Sequence, residues 1–96
     1  MKPVLWWLFL GTRGGLNRAK IIKQLRMHPY NANQLAEALD VNYRTITHHL
    51  KILEKSNLVK SVGEKYGKMY VLTDEMERDY AEFEAIWEQL KNKKQS

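Results

Sequence analysis

The sequence predicts a mainly α-helical fold with one small β-hairpin. Three observations carry that prediction. Apolar residues recur at three- and four-residue spacing from residue 16 to residue 55 and again from residue 74. Between those stretches, residues 58–72 change to short runs rich in Val, Tyr and Leu around a loop bounded by Gly63 and Gly67. Residues suited to starting and stopping helices separate the periodic segments.

The chain of 96 residues is long enough for one small domain with a modest core. It opens with "PVLWWLFL". The apolar run Val4–Leu10 is far short of the roughly 20 residues that span a bilayer. One lysine precedes it, and no small-residue cleavage site follows, so a secretory signal is not expected. The run reads as a segment buried against the rest of the fold or against a second subunit. "GTRGG", residues 11–15, interrupts any regular element. It lacks the Lys-Ser/Thr pair of a phosphate-binding loop and reads as a connector.

In "LNRAKIIKQLRMHP", Leu16, Ala19, Ile22 and Leu25 form a helical stripe, with Arg18, Lys20, Lys23 and Arg26 expected off it. Pro29 disfavours helical geometry at His28, so the helix should end there. Asn31 and Gln34 have the spacing of a capping box ahead of a short helix with Leu35, Ala36 and Leu39 on its apolar side. Asp40 suits the left-handed backbone of a tight turn. Asn42 caps a longer helix. At 100° per residue, Ile46, Leu50 and Leu53 define its core face. His49 falls on the edge of that face, whereas His48 falls opposite with Arg44, Lys51 and Lys55.

Two strands, 58–62 and 68–72, then form a hairpin whose tip carries Lys65, Tyr66 and Lys68. A single long helix is expected from residue 74 to the end. On it Met76, Tyr80, Phe83, Trp87 and Leu90 alternate spacings of four and three, as an interhelical seam does. Acidic residues lie at its start and lysines at its end, which opposes the helix dipole.

Charge is unevenly divided. Up to Leu72 there are 12 Lys/Arg against 4 Asp/Glu; from Thr73 on there are 4 against 7. A basic body suits a polyanion, and the acidic segment has another task. The order short helix, tight turn, longer helix and basic hairpin is a helix-turn-helix followed by a wing. Such a helix fits the major groove and flanking cations neutralise phosphates. Arg44 can pair with guanine through two bonds. Thr45 and Thr47 can bond bases or phosphates, and Lys51 suits phosphates.

"QLAEALDVNYRTITHHLKILEKSNLV", followed by "YVLT", resembles the ArsR-type winged-helix transcriptional regulators of bacteria and archaea, over residues 16–73. The family's T-V-S-x-H-L-x-x-L run is met by Thr45, Ile46, Thr47, His48, His49, Leu50 and Leu53. The resemblance implies that His49 is a structural histidine and that His48 stands where the family commonly contacts DNA. Asp40 departs from the glycine usual in the turn. Cysteines of the metal-sensing branch are absent, and the last helix has no histidine.

The expected fold is therefore mainly α with a small β-hairpin wing, a winged helix-turn-helix with a C-terminal dimerisation helix. Residues 1–73 form the DNA-binding domain with an apolar N-terminal segment, and 74–96 the dimerisation helix. Expected DNA contacts are Tyr43, Arg44, Thr45, Thr47, His48, Lys51, Lys65, Tyr66 and Lys68. Expected dimer contacts are Trp6, Trp7, Met76, Tyr80, Phe83, Trp87 and Leu90. The leading expectation is a cytoplasmic homodimer that binds double-stranded DNA sequence-specifically and regulates transcription. The alternative is a winged-helix interaction module in a larger assembly that touches nucleic acid only non-specifically. No carboxylate pair, triad or phosphate loop points to an enzyme. No cofactor, metal site, metal effector or membrane is expected.

Overall fold

The computed structural model describes residues 3–64 and 67–95. Six helices and one hairpin follow in order: α1 (Pro3–Leu10), α2 (Gly15–Met27), α3 (Ala32–Leu39), α4 (Tyr43–Lys55), β1 (Val59–Val62), β2 (Met69–Leu72), α5 (Asp74–Arg78) and α6 (Tyr80–Gln95). Local chemistry sets most boundaries. The α2 helix ends at His28, whose backbone is extended ahead of Pro29. Both bonds of the capping box form at α3: Asn31 Oδ1 accepts from the Gln34 N–H, and Gln34 Oε1 accepts from the Asn31 N–H, each at 2.8 Å.

Two helices stop in the same way without glycine. Asp40 and Asn57 take left-handed backbone angles, φ 53° and 60°. After each, an N–H bonds back five residues: Val41 to Ala36 C=O at 3.0 Å, and Leu58 to Leu53 C=O at 2.9 Å. These bonds satisfy terminal carbonyls that would otherwise lack partners. Asp40 thus serves the turn between α3 and α4, and the Asn42 side chain accepts from the Arg44 N–H to start α4.

The hairpin pairs Val59 with Leu72 and Val62 with Met69 in antiparallel register. Gly63 leads into its loop at φ 90°. An isolated bridge ties Tyr30 to Tyr70, which fixes the wing to the α2–α3 connection. Thr73 holds the other end: its hydroxyl donates to Asn57 C=O at 2.8 Å and accepts from the Met76 N–H at 3.1 Å.

One apolar core runs through all of this, from Leu5 and Phe9 on α1 through Ile22, Leu35 and Leu50 to Phe83 and Ile86 on α6. The N-terminal run is a helix. Its Leu5, Leu8 and Phe9 are buried, and Phe9 meets Phe83 edge-on with ring centroids 5.1 Å apart.

The C-terminal segment differs from expectation. It is two helices, interrupted at Asp79 (φ −94°, ψ 7°), whose N–H is shared between the Glu75 and Met76 carbonyls. Its seam also turns inward within the same chain. Met76, Tyr80, Phe83 and Leu90 are buried against the core, and Ile86 rather than Trp87 is the fully buried residue between them. Trp87 is half-buried, with the Lys23 ammonium 5.0 Å from its ring centre. Among the described residues, no helix is long and apolar enough to cross a membrane.

Candidate nucleic-acid interface

The outer side of α4 carries the candidate contacts. Ile46, Leu50 and Leu53 are buried and seat the helix on the core. Arg44, His48 and Lys51 are exposed, and Thr45 and Thr47 are half-buried beside them. Tyr43 stands in the first turn, 51 % exposed. The Thr47 hydroxyl donates to Arg44 C=O at 3.0 Å, which leaves its lone pairs free to accept. Lys68 lies at the base of the wing with its Nζ 5.3 Å from the centre of the Tyr70 ring. Its bond to Tyr70 holds the ammonium above the usual lysine range, so it stays charged. Asn31, Asn33, Tyr43, Thr47, Lys68 and Tyr70 line an open cleft of about 230 Å³ between α3, α4 and the wing. Lys65 and Tyr66, expected at the wing tip, lie outside the described residues. The structure therefore gathers Tyr43, Arg44, Thr45, Thr47, His48 and Lys51 on one helix and sets Lys68 across a cleft from them.

The neighbouring histidines separate as the helical angle requires. His48 is exposed, whereas His49 is 5 % exposed. His49 meets a group that sequence reasoning misplaced. Arg18 is not off the stripe of α2; it is 4 % exposed, one turn before Ile22 on the same buried face. Its spacing to Ile22 and Leu25, four and seven residues, carried that signal. Arg18 Nη1 lies 3.1 Å from His49 Nδ1. A guanidinium can only donate, so this imidazole nitrogen is the acceptor and the ring is neutral with its proton on Nε2.

Burial, followed by the Arg18 and His48 charges beside it, pushes His49 down from 6.5 to about 4. Between those two pH values the unfolded chain binds the proton and the folded chain does not. Stability from this group is therefore complete above pH 6.5 and is lost as the pH falls toward 4. The cost reaches up to about 1.4 kcal/mol per pH unit. Urea unfolding from pH 7 to 4.5 should show this fall in the wild type, superimposed on carboxylate titration, and a shallower one in His49→Gln. Equal slopes in the two proteins would remove His49 as the source.

The expected dimer residues lie in two environments. Met76, Tyr80, Phe83 and Leu90 are consumed by the chain's own core. On the outer side of α1, Pro3, Trp6, Trp7, Leu10 and Gly11 line a shallow apolar trough, and Trp7 is 64 % exposed. Among the described residues, no three His, Asp or Glu side chains come together as a metal site.

The profile of the family described as "Bacterial regulatory protein, arsR family" matches residues 17–61, the segment from α2 through β1. No curated protein sequence matches the chain. The solved structures that share its fold include BldR, AdcR and YodB. The transcriptional regulator BldR from Sulfolobus solfataricus superposes over 94 % of this chain and 66 % of its own, with a TM-score of 0.73 and 17 % identity. The transcriptional regulator YodB from B. subtilis, in its reduced form, covers 91 % and 88 %, with 0.70 and 22 %. Adhesin competence repressor (AdcR) from Streptococcus pyogenes covers 93 % and 70 %, with 0.66 and 17 %. The chain thus spans just under two thirds of the BldR chain. At these identities the likeness is one of fold.

Proposed function

We propose, from the match of the arsR-family profile to residues 17–61, that the chain is a cytoplasmic, homodimeric transcriptional regulator that reads double-stranded DNA. Helix α4 enters the major groove, and the base of the basic wing follows the adjacent backbone. The observation that carries this reading is the outer side of α4. It presents a guanidinium, an imidazole, an ammonium and two hydroxyls from a helix held firmly at its Asn42 cap and its apolar inner side. Arg44 reads a base edge, Thr45, Thr47 and His48 contact bases or nearby phosphates, and Tyr43, Lys51 and Lys68 contact the backbone. The same fold serves transcriptional regulators in BldR and YodB and a repressor in AdcR.

Dimerisation is supported by α1. Eight residues without a charge bury one side in the core and leave Trp6 and Trp7 on the other. A helix that is apolar all round is normally covered. A second copy meeting it about a two-fold axis covers both troughs with one self-complementary contact.

Titration on duplex DNA tests the assignment of roles. Affinity should fall with salt at a log–log slope of about −0.9 per phosphate contact. Lys51→Ala should weaken binding to all duplexes alike and flatten that slope by about 1. Arg44→Ala should cost about 1–3 kcal/mol on the preferred duplex alone. If Arg44→Ala weakened preferred and scrambled duplexes equally, Arg44 would be a backbone contact and not a reader. Co-purification in a larger complex with no preference among duplexes would favour the interaction-module reading.

A further inference from the structure

Arg18 takes a permanent charge into the interior, and its three bonds go to three different segments. Nε donates to Leu8 C=O at 3.1 Å, Nη1 donates to His49 Nδ1 at 3.1 Å, and Nη2 donates to Thr12 Oγ1. The Thr12 hydroxyl donates to the same Leu8 carbonyl at 3.2 Å. Among the described residues no carboxylate pairs with this guanidinium. Its counter-charge is the end of α1, because Leu8 C=O belongs to the last turn and to the negative end of that helix's dipole.

The connector is shaped around the pair. A Cβ on Gly14 would lie 2.5 Å from His49 Cε1 and 2.8 Å from Arg18 Nη1. Burying a cation is a poor way to gain stability, since an apolar side chain of similar volume often does as well or better. What the guanidinium supplies instead is direction. The apolar contacts of Ile46, Leu50 and Leu53 seat α4 on the core, but each of them is non-directional. The fork on Arg18 fixes one edge of α4 to α1 through bonds with defined geometry. His49 is adjacent to His48 and one turn after Thr45, both on the proposed DNA-reading side.

We infer that Arg18 is a positioning residue for DNA reading, fixing the recognition helix α4 relative to α1 through its bonds to His49, Leu8 and Thr12. The inference rests on the reading of α4 as the DNA-contacting helix. It makes discrimination between DNA sequences depend on a contact remote from DNA. It also links α4 to the helix whose far side carries Trp6 and Trp7, so the dimer contact and the reading helix share one rigid reference.

The test removes both partners of the bond together. In Arg18→Met with His49→Leu, neither partner is left buried and unpaired, so the fold should survive. The readout is the ratio of Kd on a scrambled duplex to Kd on the duplex that the wild type selects. The expected result is a melting temperature close to wild type, an unchanged Kd on the scrambled duplex, and a ratio lowered at least tenfold. His49→Gln, which keeps an acceptor on α4, should retain most of the ratio. A folded double variant with the full wild-type ratio would overturn the inference and leave the DNA reading intact. Should the double variant unfold, Arg18→Lys decides: lysine reaches one acceptor and cannot fork, so a lowered ratio supports the inference and a full ratio overturns it. A wild type that selects no duplex overturns the DNA reading itself, and the inference with it.

Discussion

Gly15→Ala should lower the unfolding free energy by about 3 kcal/mol or more, at the upper end of the range for overpacked sites. A Cβ at this position would sit 1.9 Å from the Phe9 carbonyl oxygen, 2.6 Å from its carbon and 3.0 Å from its Cα. All three are backbone atoms, so no rotamer change relieves the contact. The α1 helix must lift from α2, which withdraws Phe9 from Phe83 and loosens Leu5 and Leu8. Arg18 would lose its cap on Leu8 in the same movement. Gly67→Ala is the matched control, because nothing lies within 4 Å of a Cβ there. Urea unfolding of both variants gives the comparison. Equal midpoints would mean that α1 is not packed across Gly15.

Trp7→Glu should abolish the proposed dimer, leave a folded monomer, and weaken binding to a two-half-site duplex by about 10²–10⁴ fold, the size of the avidity lost when two linked contacts become one. Trp7 is 64 % exposed in the single chain, so a carboxylate there meets water in the monomer. In the dimer the same carboxylate would be buried against apolar surface, opposite its own copy, with no cation among the trough residues Pro3, Trp6, Leu10 and Gly11. This makes Trp7 a cleaner probe than Phe83, whose replacement would damage the core before it said anything about assembly. Sedimentation at tens of micromolar, with a thermal melt beside it, reads both consequences. A wild type that sediments as a monomer would remove the dimer. A dimeric Trp7→Glu would move the interface away from α1.

Features set by neighbouring residues were legible in the sequence. The Asn31–Gln34 box, the left-handed Asp40, the Asn42 cap and the stop at Pro29 each depend on a few adjacent positions. The opposite placement of His48 and His49 follows from helix geometry alone. Features set by the third dimension were not. A positive side chain on α2 reads as surface until a carbonyl at the end of another helix and a neutral imidazole are found waiting for it. Periodicity found the stripe of Met76, Tyr80, Phe83 and Leu90 correctly, but it does not say whether the cover comes from the same chain or another. Here α1, whose helical form the sequence reading did not assign, supplies part of that cover. The apolar surface that stays exposed is consequently on the other side of α1, at Trp7, with Trp6 half-buried beside it. The break at Asp79 has no proline or glycine to announce it. Within the candidate interface, the cations and hydroxyls of α4 were read directly from spacing, whereas the cleft joining Asn33, Tyr43 and Lys68 needs three elements to be placed.

Selection of bound sequences from a pool of random duplex DNA by the wild-type chain decides whether α4 reads sequence. The expected outcome is enrichment of a two-fold symmetric sequence whose half-site centres lie about 34 Å apart, one helical turn or a multiple of it. The position proposed to be read by Arg44 should lose its preference when Arg44→Ala is carried through the same selection. A pool that stays random after repeated rounds, with binding that depends on salt alone, would contradict sequence reading by α4.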